Sequence, residues 1–231
     1  MQIFYSDLAD IKNLPGKNRR SILLIMLIVS MLFLSRMLVF SAPLQAGGEA
    51  ESEEFWRQQK EEARADLEEN EAILPRYRLA VAKANLGYVL ETYEMIEEFR
   101  DDFDVEALEE EIAFELRLAE LGSDNLLYLN YAAFYHSILE NHEDTIHYFE
   151  RIIELDEDNV WPYNYLAVVY IEELEEYDKA LDIINRALET KENDYSHLLQ
   201  AYVHYLNGNY LRAANSLRRG RATFEELEDL L

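Results

Sequence analysis

Apolar and small residues in the second half of the chain recur with a long, regular spacing. Ala133, Ala167 and Ala201 are 34 residues apart. The same spacing separates a set of ring side chains, His136, Tyr170 and His204. Further along, the spacing slips by one residue and then recovers, at Thr145, Ala180 and Ala213 and again at Phe149, Ile184 and Leu217. A repeat of this length predicts a stack of helix pairs.

The residues within each unit resemble the tetratricopeptide repeat family over about residues 126–221. The second unit carries the first-helix pattern of that family at Tyr163, Leu166, Ala167 and Tyr170, and its second-helix pattern at Tyr177, Ala180, Ile184 and Ala187. The resemblance implies an all-α fold in which antiparallel helix pairs stack into a right-handed solenoid. Three units are predicted, at 126–159, 160–193 and 194–221, followed by a C-terminal capping helix at 222–231.

Packing arguments support this fold independently of the resemblance. Small side chains at Ala133, Ala167 and Ala201 allow two helices to approach closely, and large side chains opposite fill the remaining space. Each helix pair has an apolar face that it cannot bury alone, so neighbouring pairs must stack.

Residues 47–125 are predicted to form acidic helices that include one diverged repeat. Trp56, Ala63, Leu67 and Leu74 fall on one stripe of a helix, which Pro75 is expected to end. A second helix is predicted over about 76–100, and a third over about 105–121, ending at Gly122.

The N-terminal region has the pattern of an export signal or membrane anchor. Residues 1–21 are basic and are predicted to stay in the cytoplasm, while the apolar run lies in 22–46 and acidic residues follow it. The run from 22 to 40 is nearly long enough to span a bilayer as an uncleaved anchor. Alternatively, cleavage after Ala46 would release the repeat domain as a periplasmic or secreted protein. Both alternatives place the repeats outside the cytoplasm, and a cytosolic location is a third, less favoured alternative.

The composition limits the possible functions. The net charge of −26 disfavours nucleic acid as a partner, since that affinity depends on Lys and Arg. The chain has no cysteine, which excludes disulfides and thiolate sites. No phosphate-binding loop and no catalytic motif is present, so we predict that the protein is not an enzyme and uses no cofactor.

Three histidines near acidic residues raise the question of a metal site. His136 and His142 occupy positions that are Tyr in a sister unit, which favours a packing role, and only His147 lacks that explanation. We therefore predict no metal, with zinc as the alternative.

The family resemblance implies a concave groove lined by the first helix of each unit. The groove positions are Leu127, Asn130 and Phe134 in the first unit, Trp161, Asn164 and Val168 in the second, and Tyr195, Leu198, Tyr202 and Tyr205 in the third. Family members that bind a C-terminal carboxylate have Lys and Arg in such positions, and these are missing here.

The aromatic groove predicts a partner protein that contributes an apolar peptide or helix. The competing interpretation is that some of these aromatic residues are core. Two other functions stay open: a self-assembling component of an envelope complex, and an accessory subunit of an envelope enzyme.

Overall fold

A computed structural model of the protein describes residues 50–69, 72–101 and 104–220. The predicted leader or anchor at 22–46 and the predicted capping helix at 222–231 lie outside the described residues. Within the described ranges, no helix has the length and apolarity needed to cross a membrane. All regular structure in these ranges is helical, which confirms the predicted all-α class for this part of the chain.

Four helices precede the repeats. They are α1 Ala50–Glu69, α2 Ile73–Asn85, α3 Val89–Asp101 and α4 Val105–Glu120. The predicted stripe on α1 is confirmed at Trp56 and Ala63, which are buried. Pro75 does not end α1, because it lies in the first turn of α2, where proline is tolerated.

The single helix predicted over 76–100 is wrong, since the chain turns between α2 and α3. The turn contains Gly87, whose φ of +81° lies in the left-handed region that glycine enters without strain. The sequence Leu86-Gly87 therefore marks the end of a helix rather than a position inside one.

Six helices form three consecutive pairs. They are α5 Leu126–Ile138 and α6 His142–Leu155, then α7 Val160–Val168 and α8 Tyr177–Thr190, then α9 Asp194–Leu206 and α10 Tyr210–Arg219. Within each pair, a short connection makes the two helices antiparallel neighbours. Each pair falls within one of the units predicted from the sequence.

The repeated small residues lie where the paired helices meet. Ala133 and Ala167 are fully buried, and Ala201 is nearly so. Their counterparts on the second helices, Thr145, Ala180 and Ala213, are buried as well. These side chains occupy the inside of each pair, as expected for close helix contact.

Asparagine caps repeat with the same period. Asn125, Asn159 and Asn193 lie 34 residues apart, and each accepts backbone N–H donors at the start of α5, α7 or α9 through its side chain. Asparagine is among the preferred residues at this position because its side-chain oxygen satisfies otherwise unpaired amides. The caps fix where each unit begins.

A π-helical turn accounts for the slip in the repeat spacing. Val169–Glu173 continues α7 as π-helix, and the Leu174 N–H donates to the Val169 carbonyl, 3.3 Å away. A π turn accommodates one residue more than the α-helical path. The second unit has this extra residue between Ala167 and the turn before α8, so the sister units stay in structural register.

Each first helix of the repeats ends near a residue with a left-handed backbone. Glu140 and Glu175 have φ of 57° and 56°, and Gly208 has φ of 71° in the third unit. The third unit thus uses the residue that this conformation favours, whereas the first two units place a glutamate there.

The N-terminal helices fold back onto the repeats. Helix α2 packs on α1 and also contacts α5 and α7, and α3 contacts α5. The buried Tyr77 hydroxyl of α2 donates to the Tyr131 carbonyl of α5. The first helices of units one and two are therefore partly covered by the chain itself.

Candidate functional site

The predicted groove positions fall into rows that behave differently in the structure. The first row, in the opening turns of α5, α7 and α9, contains Leu127, Trp161 and Tyr195. All three side chains are half-buried. The rings of Trp161 and Tyr195 lie 6.2 Å apart between centroids with a 43° tilt, which links the second unit to the third.

The second row lies inside the protein. Asn130 is 1% exposed and accepts from the Asn85 amide at 2.8 Å, while its own amide donates to the Leu126 carbonyl at 2.8 Å. Asn164 is fully buried and accepts from the Ser196 hydroxyl at 2.8 Å. These asparagines connect helices, and in this conformation they have no surface to offer a partner.

Leu198, the third member of that row, is also buried. Its side chain lies beside Gly220, where an added Cβ would stand 3.1 Å from the Leu198 Cγ and Cδ2 atoms. The Leu198 side chain of α9 therefore packs against the residue that follows α10.

The third row is mixed. Phe134 is buried, with its ring edge-on to those of Phe149 and Tyr165 at 5.5 and 5.2 Å. Val168 and Tyr202 are half-buried and pack against the core with part of their surface open. The structure thus brings Phe134 into the interior, as the core interpretation of these aromatic residues expects.

Tyr205 lies apart from the other predicted positions. It is half-buried near the end of α9, and its ring is 5.6 Å from that of Tyr210 at the start of α10.

The turn between α2 and α3 closes one side of the first and second rows. The Tyr165 hydroxyl of α7 donates to the Ala84 carbonyl of α2 at 3.3 Å. The Trp161 indole lies directly against Gly87, leaving no room for a side chain at that position. Trp161 of α7 and Tyr195 and Tyr202 of α9 keep part of their side chains exposed, and we call these three residues the aromatic face.

Burial sets the protonation of the tyrosines around this face. It raises the pKa of Tyr165 and of Tyr195 well above the ordinary value, with Glu172 adding to the effect at Tyr195. Both hydroxyls therefore remain protonated donors at any physiological pH.

The cavities on the described surface include two beside the repeat helices. One, of about 640 Å³, lies between α6, α7 and α8 and is lined by glutamates including Glu150, Glu154 and Glu189. The other, of about 210 Å³, lies beside Trp161 and includes Asn85 from α2. Sequence reasoning missed Asn85, because no spacing rule connects it to the repeat units.

Two of the three histidines near acidic residues, His136 and His142, contact side chains of neighbouring elements. The half-buried His136 stacks on Tyr148 with centroids 5.5 Å apart, and His142 lies 3.8 Å from a Glu173 carboxylate oxygen. His147 is exposed beside Tyr148. Among the described residues, no group of three or more potential ligands is placed to hold a metal ion.

Comparison with known proteins gives similarity to solved structures only. No protein-family model matches the sequence, and no curated protein matches it. A crystal structure of MamA is 12% identical, covers 82% of this chain and 100% of that one, and superposes with a TM-score of 0.43. MamA MSR-1 (C2) is 16% identical over 77% of this chain and 97% of that one, with a TM-score of 0.42. A MamA RS-1 ArsTM double mutant is 14% identical over 90% of this chain and 93% of that one, also at 0.42. At these values the likeness does not determine the function of the chain.

Proposed function

We propose that the protein is a non-catalytic scaffold or adaptor that holds a partner protein on the aromatic face. In this proposal the three helix pairs form a right-handed tetratricopeptide-type solenoid. The partner contributes an apolar or aromatic-anchored peptide or helix.

The observation that carries the proposal is the half-burial of Trp161, Tyr195 and Tyr202. Tyr195 and Tyr202 pack against the core, and Tyr195 also contacts the Trp161 ring, while part of each side chain stays open. Rings that are already fixed lose little conformational freedom on binding, and Trp and Tyr are the residues most enriched at binding hot spots.

The N-terminal helices support a location on α7 and α9. Because α2 lies against α5, with the Tyr77 hydroxyl on the Tyr131 carbonyl and the Asn85 amide on Asn130, a partner approaching the first unit would meet the chain's own helix α2. The second and third units keep their half-buried aromatic side chains.

Capture of a partner by the full-length chain tests this function. Trp161→Ala, Tyr195→Ala and Tyr202→Ala should each weaken capture from membranes by about thirtyfold, the equivalent of roughly 2 kcal/mol for a central anchor. Tyr93→Ala is the matched control, since it removes a ring that is 48% exposed on α3. Normal capture by all three variants would contradict the proposal.

We also propose that the repeats lie outside the cytoplasm, attached to the membrane through residues 22–40 or released after Ala46. The support is the sequence alone, with basic residues before the apolar run and acidic residues after it. A periplasmic reporter fused after Leu231 should be active. A cytoplasmic reporter active at the same point would contradict this location.

Self-assembly is a second candidate, and one observation favours it. Helix α10 exposes Leu211 (90%) and Tyr210 (63%) beside Arg212 and Arg218, while α1 is rich in glutamate. Contact between α10 of one copy and α1 of another would pair arginines with glutamates and would also bury apolar side chains of α10. Molecular mass measured at low and high salt should then fall as salt rises, and a constant monomer mass would contradict self-assembly.

A further inference from the structure

The cavity beside Trp161 has a built polar lining that the aromatic face does not use. It is formed where the start of α1, the end of α2 and the connection between α6 and α7 meet. Its volume is about 210 Å³. A single water needs only about 10–15 Å³ of such space, so the cavity has room for a side chain.

A buried asparagine lines this cavity. Asn85 is 6% exposed, and its Nδ2 donates to the Asn130 Oδ1 at 2.8 Å and to the Val81 carbonyl at 3.0 Å. Those two bonds fix the orientation of the amide. Both bonds use the amide nitrogen, and no donor in the described part of the chain reaches the Asn85 Oδ1, which leaves an acceptor without a described partner on a residue that lines the cavity.

Carboxylates line the same cavity, one of them, Glu53, paired with Arg57 of α1. Glu53, Asp156 and Asp158 line the cavity together with a single ammonium group, that of Lys191, so the lining is negative. Asp156 is held in place because its Oδ2 accepts from the Ser52 hydroxyl at 3.0 Å. No side chain in the described ranges donates to Asp158, which leaves its carboxylate open to a cationic ligand.

The Trp161 indole provides an apolar wall with affinity for cations. Gly87 supports it on one side and the Tyr195 ring on another, so the indole is fixed beside the carboxylates. Indole faces attract ammonium and guanidinium groups, and they also pack against the aliphatic part of lysine and arginine.

These features favour an extended organic cation over a metal ion. In the described part of the chain, no group of three or more potential ligands is placed to hold a metal ion, and the three carboxylates of this cavity are included in that finding. The cavity instead combines oxygen acceptors spread along the lining with one aromatic wall. A long side chain with a cationic end uses both.

We propose that this pocket binds the side chain of a lysine or arginine of the partner protein. The inference rests on the proposed protein-binding function and adds the chemistry of one partner residue. Apolar anchors of the partner would occupy the aromatic face, and a neighbouring basic residue would enter the pocket beside Trp161.

Nuclear magnetic resonance of the full-length chain in detergent micelles tests this. The chain has two tryptophans, and Trp56 is buried at 1% exposure, so its indole N–H signal serves as an internal reference. The probes are four capped pentapeptides with lysine, arginine, norleucine or glutamate between pairs of alanines. Lysine and arginine peptides should shift the Trp161 indole signal to saturation, and the norleucine and glutamate peptides should not.

Asp158→Asn should weaken lysine-peptide binding by roughly tenfold, since it removes one open carboxylate. Asp182→Asn is the matched control, because it makes the same change at an exposed position of α8 and should leave binding unchanged. Equal weakening by both variants, equal binding of the norleucine peptide, or no shift of the Trp161 signal would overturn the proposal. Displacement of the lysine peptide by calcium at lower concentration would overturn it in favour of a metal site.

The test separates the pocket from the proposed function. Tyr202 is not part of the pocket lining, so Tyr202→Ala should weaken partner capture by about thirtyfold while lysine-peptide binding persists. Capture that depends on Tyr202 without any peptide binding would leave the scaffold function standing and remove the pocket. Peptide binding without Tyr202-dependent capture would leave the pocket standing and contradict the proposed scaffold function.

Discussion

The backbone of Gly87 lies against the indole of Trp161 so closely that an added Cβ would stand 2.1 Å from the ring's Cζ2 atom. These residues belong to the turn between α2 and α3 and to the first turn of α7. The contact joins the N-terminal helices to the candidate site, because moving either residue moves one wall of the pocket.

Gly87→Ala should destabilise the protein by more than a positive φ alone explains. A left-handed alanine costs roughly 1–2 kcal/mol, and the new methyl group must also displace the Trp161 ring. Gly122→Ala is a close control, since Gly122 has the same φ of +81° with no atom within 4 Å of the added Cβ. Urea unfolding measures both variants, and equal losses would show that the contact with Trp161 adds nothing.

The buried amide pair of Asn85 and Asn130 should show energetic coupling. Replacing either one by alanine removes a hydrogen bond inside the protein and should cost about 1–3 kcal/mol. The double variant should lose less than the sum of the single variants by at least about 0.5 kcal/mol. Strictly additive losses in a double-mutant cycle would contradict the pairing.

Deleting Glu172 should be tolerated, because the π turn contains the extra residue of the second unit. The shortened segment can return to α-helix with the spacing of its sister units, and Tm should change by only a few degrees. Deleting Ser137 is the comparison, because it removes a residue from the regular helix α5 and rotates the following side chains by roughly 100°. Calorimetry should find a much larger loss for that deletion, and equal losses would contradict this role of the π turn.

Acid should destabilise the protein in part through His136. Burial lowers the pKa of His136 below its ordinary value, although Asp144, Glu120 and Glu109 act in the opposite direction. The folded state therefore takes up this proton less readily than the unfolded state, and stability is lost as the pH falls below about 6.5.

As the pH falls from about 7 to 5, the free energy of unfolding should therefore decrease less in the His136→Gln variant than in the unmodified protein. Urea unfolding at each pH measures this difference. His147→Gln, at an exposed position of α6, is the comparison variant. Identical pH dependence in His136→Gln and the unmodified protein would exclude this contribution.

The repeats were predictable because their signal is local and periodic. Ala133 and Ala167 mark buried helix contacts whose spacing depends only on the geometry of a helix pair. The pairing of Asn85 with Asn130 was not predictable, since it joins α2 to α5 and the N-terminal helices do not keep the repeat spacing. The caps at Asn125 and Asn159 carried a periodic signal that the sequence argument did not use.

The candidate site was predictable only in part. A groove position on a first helix is defined within its own unit, but its exposure depends on what other helices cover it. Phe134 packs on Tyr165 of the next unit, and Leu198 lies beside Gly220 beyond α10. Trp161 and Tyr195 keep part of their surface open, although the Gly87 backbone lies against the Trp161 indole.

The fold-back of α2 has a consequence for how the molecule opens. Helix α2 contacts both α5 and α7, so the first two units are tied together and should unfold as one cooperative block. Helices α9 and α10 pack at the far end of the described array, where fraying is easiest. The aromatic face crosses this boundary, with Trp161 in the tied block and Tyr195 in the terminal pair. A pulling force on the C-terminal side would therefore separate α9 from α7 first and, on the proposed function, release the partner while the first two units stay folded.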